Sequence, residues 1–301
     1  MKENDESTRF DQLKDAEDIH TALQNKDISD IVEIICSRTN DQRQQIKETY
    51  ISQFGTELKK EIDSKLSSNV KELILGCLLT PEDFDSTEIN KAIRGAGTNE
   101  DLLSEIIATR PSRHLYQVKQ RYPELFNEPL DKAISGDTSG YYEKILIAII
   151  QGKRSDNPYP DIKKMEEIVE KLNGGGKTKK DYFVQYFGSS SYSEISTICR
   201  LYERNYNENI LDVIKREIGG DAFDFFKIFL KYVSDSGTFF AEKIHNFKPN
   251  DLTRIIISRS EVDMEEIRDA YKELYKNDLI EDLKENTKDD YQLGLTILAQ
   301  K

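Results

Sequence analysis

The chain has 301 residues, with 43 lysines and arginines against 56 aspartates and glutamates, for a formal charge of −13. A surface of that sign repels nucleic acid and anionic lipid alike, so an anionic partner needs a bridging cation. The length suits about two ordinary domains or one repeat assembly, enough for a sizeable core.

The opening fifteen residues, MKENDESTRFDQLKD, are too charged for a signal peptide. Residues 1–13 read as a tail ahead of the first structural unit, with no amphipathic stretch that would name a partner. No later apolar run approaches the ~20 residues of a spanning helix. Cys36, Cys77 and Cys199 are widely spaced in apolar surroundings (EIICS, ILGCLL, STICR), the pattern of buried free thiols in a reducing compartment. A cytoplasmic protein is the expectation.

Four segments align on one tyrosine: RQQIKETYISQFGTEL at Tyr50, YQVKQRYPELFNEPL at Tyr122, ICRLYERNYNENIL at Tyr202 and EEIRDAYKELYKNDL at Tyr271. Twelve residues before each stands Arg38, Arg110, Ser190 or Arg259, the three arginines closing apolar runs. Self-similarity at this period marks a repeat protein. The repeats are placed at 14–82, 86–154, 160–235 and 236–301. The stripes Leu102, Leu103, Ile106, Ile107 and Tyr142, Ile145, Leu146, Ile149 have helical spacing, and GAGT, GDTSG, NGGG and NPYP punctuate them. This gives an all-α fold of about five short helices per repeat. The polar, proline-containing connector KRSDNPYPD at 153–161 reads as a hinge between two halves. At repeat-equivalent positions, the three arginines read as structural salt bridges or helix-end contacts rather than phosphate ligands.

The second repeat carries the chemistry. Ile93-Arg94-Gly95-Ala96-Gly97-Thr98 opens a helix at Thr98, with Asp101 three residues later as in a capping box. Gly136-Asp137-Thr138-Ser139-Gly140 follows. Glycines let several carbonyls turn to one point, and calcium takes carbonyl, carboxylate and water oxygens. KAIRGAGTNEDLLSEIIATR followed by GDTSGYY resembles the annexins, as does the four-repeat frame over essentially the whole chain. The resemblance implies a disc-like core with calcium loops on its convex face, and calcium-dependent binding to acidic phospholipid without catalysis. It also implies that the carbonyls of Ile93, Gly95 and Gly97 and the carboxylate of Asp137 ligate calcium, and that the Thr138 carbonyl and Glu143 carboxylate form a secondary site.

The other repeats are ranked by the residue fifteen after the tyrosine: Lys65, Asp137, Glu217 and Asn286 in turn. Repeats one (ALQNKDIS) and four (EKIHNFKPND) lack the glycines, with loops two residues shorter than that of repeat two, so no ordinary calcium site is expected in either. Repeat three has NGGGKT at 173–178 and Glu217, and the carbonyls of Gly175 and Lys177 complete its candidate set.

Other chemistries find no support. GGGKT lacks the first glycine and the preceding strand of a phosphate loop, and no EF-hand loop appears. His20, His114 and His245 have no metal-ligand spacing and read as surface or partly packed residues. No nucleophile, base and orienting group assemble into an enzyme site. The alternative to calcium-switched membrane binding at the inner face of a membrane is a calcium-independent scaffold or cytoskeleton-associated protein. Divergent annexin-like proteins such as the alpha-giardins resemble this chain in that direction.

Overall fold

The computed structural model describes residues 10–95, 97–174 and 179–301, and among them every regular element is an α-helix. The helices come in four runs of five. The first holds α1 (Gln12–Asn25), α2 (Ile28–Ser37), α3 (Asn40–Phe54), α4 (Leu58–Lys65) and α5 (Ser68–Cys77). Next come α6 (Pro81–Ile93), α7 (Glu100–Thr109), α8 (Ser112–Phe126), α9 (Leu130–Asp137) and α10 (Gly140–Ile150). The third run is α11 (Ile162–Asn173), α12 (Lys179–Ser189), α13 (Tyr192–Tyr206), α14 (Ile210–Glu217) and α15 (Gly220–Ser234). The fourth is α16 (Ser236–His245), α17 (Pro249–Arg259), α18 (Met264–Tyr275), α19 (Leu279–Asn286) and α20 (Asp289–Ala299). No helix among the described residues is long and apolar enough to cross a membrane.

The tyrosine register is a structural register. Tyr50, Tyr122, Tyr202 and Tyr271 lie in the third helix of each run, fully buried. Five residues on, Gly55, Asn127, Asn207 and Lys276 end that helix in the left-handed conformation, each N–H donating to the carbonyl of the residue four before it. Four residues after each tyrosine, the ring of Phe54, Phe126, Tyr206 or Tyr275 packs on it at 4.7–5.0 Å. The residue fifteen after the tyrosine is in every case the last of an eight-residue fourth helix. The candidate ligand position therefore always lies where that helix gives way to the next loop.

Each hydroxyl also finds a partner near the end of the first helix. Tyr122 and Tyr202 donate to the side-chain oxygens of Asn90 and Asn173, whereas Tyr50 and Tyr271 meet Nδ1 of His20 and His245. His20 stacks on Phe54 and His245 on Tyr275, so two of the three histidines serve the fold.

The repeat arginines form the ion pairs expected of them. Arg38 grips Asp15 with two bonds of 2.7 and 2.9 Å, and Arg110 grips Asp85 with the same pair of distances. Arg259 turns instead to Asp263, one turn onward. Burial pushes the Asp85 carboxyl up, but Arg110 and the His114 ring outweigh it and hold the group well below the usual carboxylate range.

The chain divides into two compact units, 1–84 with 237–301 and 85–236. The connector at 153–161 therefore lies inside the second unit and is not the division between halves; Ser155 N–H donates to the carbonyl of Ser189 across it. In the first unit α20 packs closely on α2, and a Cβ at Gly294 would stand 2.5 Å from Leu73 Cδ2 and 3.3 Å from Cys36 Sγ. A side chain there would force Leu73 of α5 and, by a few tenths of an ångström, Val32 and Cys36 of α2 to shift. The second unit has a continuous core running from Ile89 through Leu146 and Phe187 to Phe229. Cys36 and Cys77 are buried and Cys199 is partly so, all as free thiols.

Candidate functional site

The two loops of the second repeat meet at one hydrogen bond. Thr98 Oγ1 donates to the backbone carbonyl of Asp137 at 2.9 Å. Nearby, the Tyr142 hydroxyl donates to the Glu100 carbonyl at 3.1 Å and pairs with Ser104 Oγ at 2.9 Å. The α6–α7 loop and the α9–α10 loop are thus cross-tied at their bases, although forty residues of chain separate Gly97 from Asp137.

The helix start differs from the sequence expectation. Thr98 does not cap α7 and Asp101 does not close a box with it; the cap is Asn99, whose side-chain oxygen accepts from Leu102 N–H at 3.1 Å. With Asn99 satisfying the helix, the Thr98 hydroxyl is free to tie the second loop. Both residue types are competent caps, and the tertiary contact decides between them.

Ile93 is the last residue of α6 and is buried, while Gly95 and Gly97 are exposed. Gly97 has φ +102°, a conformation that strains any residue with a Cβ. A Cβ at Gly95 would stand 3.3 Å from the Gly97 carbonyl oxygen, so the loop curls tightly around that position. Asp137 is exposed at the C-terminus of α9. Burial pushes the Tyr122 hydroxyl up to about 12; Arg94 opposes this, and the carboxylates of Glu128 and Asp137 add to it.

Thr138 follows Asp137, its hydroxyl turned back to the Ile134 carbonyl. Glu143 lies in the first turn of α10, half-buried. Among the described residues no three histidine, cysteine or acidic side chains cluster for a metal. The second repeat offers a different kind of donor set, in which carbonyls outnumber carboxylates. That set suits a hard cation and not zinc, which takes thiolate and imidazole.

In the third repeat, Gly175 and Lys177 lie outside the described residues. Glu217 ends α14, with the ammonium of the buried Lys179 3.6 Å from its carboxylate. Sequence comparison of loops did not reveal this cation, because Lys179 belongs to the following helix.

Repeats one and four depart further than the sequence comparison indicates. Residues 94–99 separate α6 from α7, but only 26–27 separate α1 from α2 and 246–248 separate α16 from α17. Between helix ends the gap is shorter by four residues in repeat one and by three in repeat four. Lys65 pairs with Glu61 at 3.1 Å, and Asn286 donates to the Asp282 carbonyl. Repeat four nevertheless keeps the cross-tie: Tyr291 bonds the Pro249 carbonyl and Thr253 just as Tyr142 bonds Glu100 and Ser104. Scaffold and ligands are therefore separable.

The annexin family model matches residues 14–77, 84–149 and 240–298. The chain belongs to the annexin family. It is 33% identical over 299 residues to rabbit (Oryctolagus cuniculus) annexin A11, covering 95% of this chain and 59% of that protein. It is 32% identical over 305 residues to bovine (Bos taurus) annexin A1, covering 96% of this chain and 87% of that one. The solved structure of annexin III superposes with a TM-score of 0.93 at 30% identity, over 98% of this chain and 95% of that one. The chain thus spans about three fifths of annexin A11's length. As a family, annexins bind calcium and, through it, acidic phospholipid. The stretch the family model leaves out, 150–239, is that of the repeat with Ser190 in place of the arginine.

Proposed function

We propose that this annexin binds acidic phospholipid membranes peripherally and reversibly, with calcium held by the second repeat as the bridge. The observation that carries the reading is the Thr98 to Asp137 bond, which joins a loop with a positive-φ glycine to the position of the one acidic side chain. The carbonyls of Ile93, Gly95 and Gly97 and the carboxylate of Asp137 would hold the ion, with the Thr138 carbonyl and Glu143 as a lesser neighbour site. Bound calcium supplies local positive charge and open coordination positions for lipid phosphate. The chain itself orients the carbonyls, fixes the second loop through Thr98 and Tyr142, and presents Asp137 to solvent.

At −13, the calcium-free protein is repelled by an anionic leaflet, which makes the cation the switch. Repeat three is a weaker candidate, because calcium there must displace Lys179 from Glu217 before Gly175 and Lys177 can contribute. Repeats one and four supply no ordinary site. Their divergence favours the alternative reading, a calcium-independent scaffold or cytoskeleton-associated protein on the same fold. No catalytic step is proposed.

The test is co-sedimentation with phosphatidylserine vesicles with calcium and with a chelator. Binding with calcium and release by chelator is the expected result. Equal sedimentation in both would overturn the bridging reading and leave the scaffold role.

A further inference from the structure

Arg154 follows α10 in the connector and would be read from sequence as a solvated residue. Instead it is 6% exposed. Its guanidinium lies over the rings of Tyr192 and Phe229, 4.7 and 4.8 Å from their centroids. Nε, Nη1 and Nη2 are all buried and reach no hydrogen-bond acceptor among the described residues. The contrast with Arg110 is direct, since that equally buried guanidinium is neutralised by Asp85 through two bonds.

A buried arginine cannot relieve its charge by losing a proton, as a buried lysine or glutamate can. Two aromatic faces offset part of the cost of burial and leave the in-plane N–H groups unsatisfied. Tyr192 commits its proton to the carbonyls of Ala108 and Arg110. Ser112 Oγ, in the first turn of α8, is likewise buried without a partner among the described residues, and the Cβ position of Gly152, two residues before Arg154, lies 3.6 Å from the Ser112 carbonyl. The unsatisfied groups are a cation, which can only donate, and a hydroxyl, which can donate as well as accept. Donors without acceptors around an uncompensated positive charge suit an anion, and the burial limits it to a small one.

We propose that Arg154 holds a small inorganic anion of the chloride class at the joint between the second and third repeats. The anion pairs with the guanidinium N–H groups while the rings of Tyr192 of α13 and Phe229 of α15, which meet edge to face, pack against it, so the ion braces the end of α10 against the third repeat. This site is independent of calcium and of the membrane surface.

Bromide is the probe. In crystals of the intact protein soaked in sodium bromide, an anomalous bromine peak is expected within hydrogen-bonding distance of the Arg154 guanidinium; ordered water there without a peak would overturn the proposal. In solution, without calcium, replacing gluconate by bromide at constant ionic strength should raise the unfolding midpoint saturably, by roughly 2–4 °C. Arg154→Met keeps an unbranched side chain against the rings and should abolish that rise. A variant with the parent's anion dependence would place the effect elsewhere and overturn the assignment. If Arg154→Met does not fold, the bromide diffraction experiment on the parent decides.

Discussion

Lys179 Nζ lies 3.6 Å from Glu217 Oε1, so the one acidic side chain of the third repeat's candidate site already faces a cation. Calcium binding there must break this contact and leave a buried ammonium behind. Lys179→Met removes the competitor while keeping an unbranched side chain in the packed position. We expect the variant to gain calcium affinity in the third repeat by about tenfold, as ~1.4 kcal/mol of relieved competition requires. Titration calorimetry without lipid should then resolve a second calcium event. An unchanged isotherm would show that the 174–178 loop, not the lysine, limits the site.

Arg110 and Asp85 form a pair with both side chains buried. Removing one partner strands the other's charge, so Asp85→Ala should cost about 3–5 kcal/mol in urea unfolding. The pH dependence has a definite sign. The folded carboxyl is held below its unfolded value of about 3.9, so its stabilisation is complete above that value and declines as pH falls through the folded value. Comparing the parent with Asp85→Asn, the stability difference should shrink as pH falls below about 4.

The buried tyrosines should rank by what their hydroxyls hold. Among the described residues the Tyr202 hydroxyl makes one bond, to Asn173, and Tyr202→Phe should cost about 1 kcal/mol. Tyr271 donates to Asp282 at 2.6 Å and also meets His245, so Tyr271→Phe leaves a buried carboxylate short of a donor and should cost more, about 1–3 kcal/mol. Urea denaturation of the two variants side by side checks the order.

What was legible in the sequence is what repeats. The tyrosine register marks the third helix of every run, and the arginines twelve residues earlier announce their ion pairs, because each copy re-reports the same local chemistry. The fifteen-residue offset found Asp137 and Glu217 because a fourth helix of fixed length follows every tyrosine. Features decided by a single long-range contact stayed hidden. Thr98 and Asn99 are adjacent and equally able to cap, and only the Asp137 carbonyl, thirty-nine residues on, separates their roles. Arg154 sits in a stretch whose prolines and charges suggest a hinge, yet it is drawn inward by two aromatic rings from the next repeat. The grouping of the first and last runs into one unit rests on contacts such as α2 with α20, which no local pattern encodes.

The sharpest test of the calcium site separates its charge from its tether. Asp137 supplies the only side-chain carboxylate of the proposed principal set, so Asp137→Asn deletes the largest electrostatic contribution to binding and keeps the size of the side chain. The calcium needed for half-maximal phosphatidylserine binding should rise by roughly tenfold or more, equivalent to about 1.4 kcal/mol. Thr98→Val leaves every proposed ligand in place and removes only the hydroxyl that holds the Asp137 carbonyl. The loss of one exposed, neutral hydrogen bond is worth about 0.5–1.5 kcal/mol, so the shift should be smaller, roughly two- to tenfold. Neither change should move the unfolding midpoint without calcium by much, since both residues lie outside the core. Vesicle co-sedimentation across a calcium series reads both. If Thr98→Val equalled Asp137→Asn, the tether would matter as much as the charge; if Asp137→Asn matched the parent, the second repeat would not be the membrane bridge.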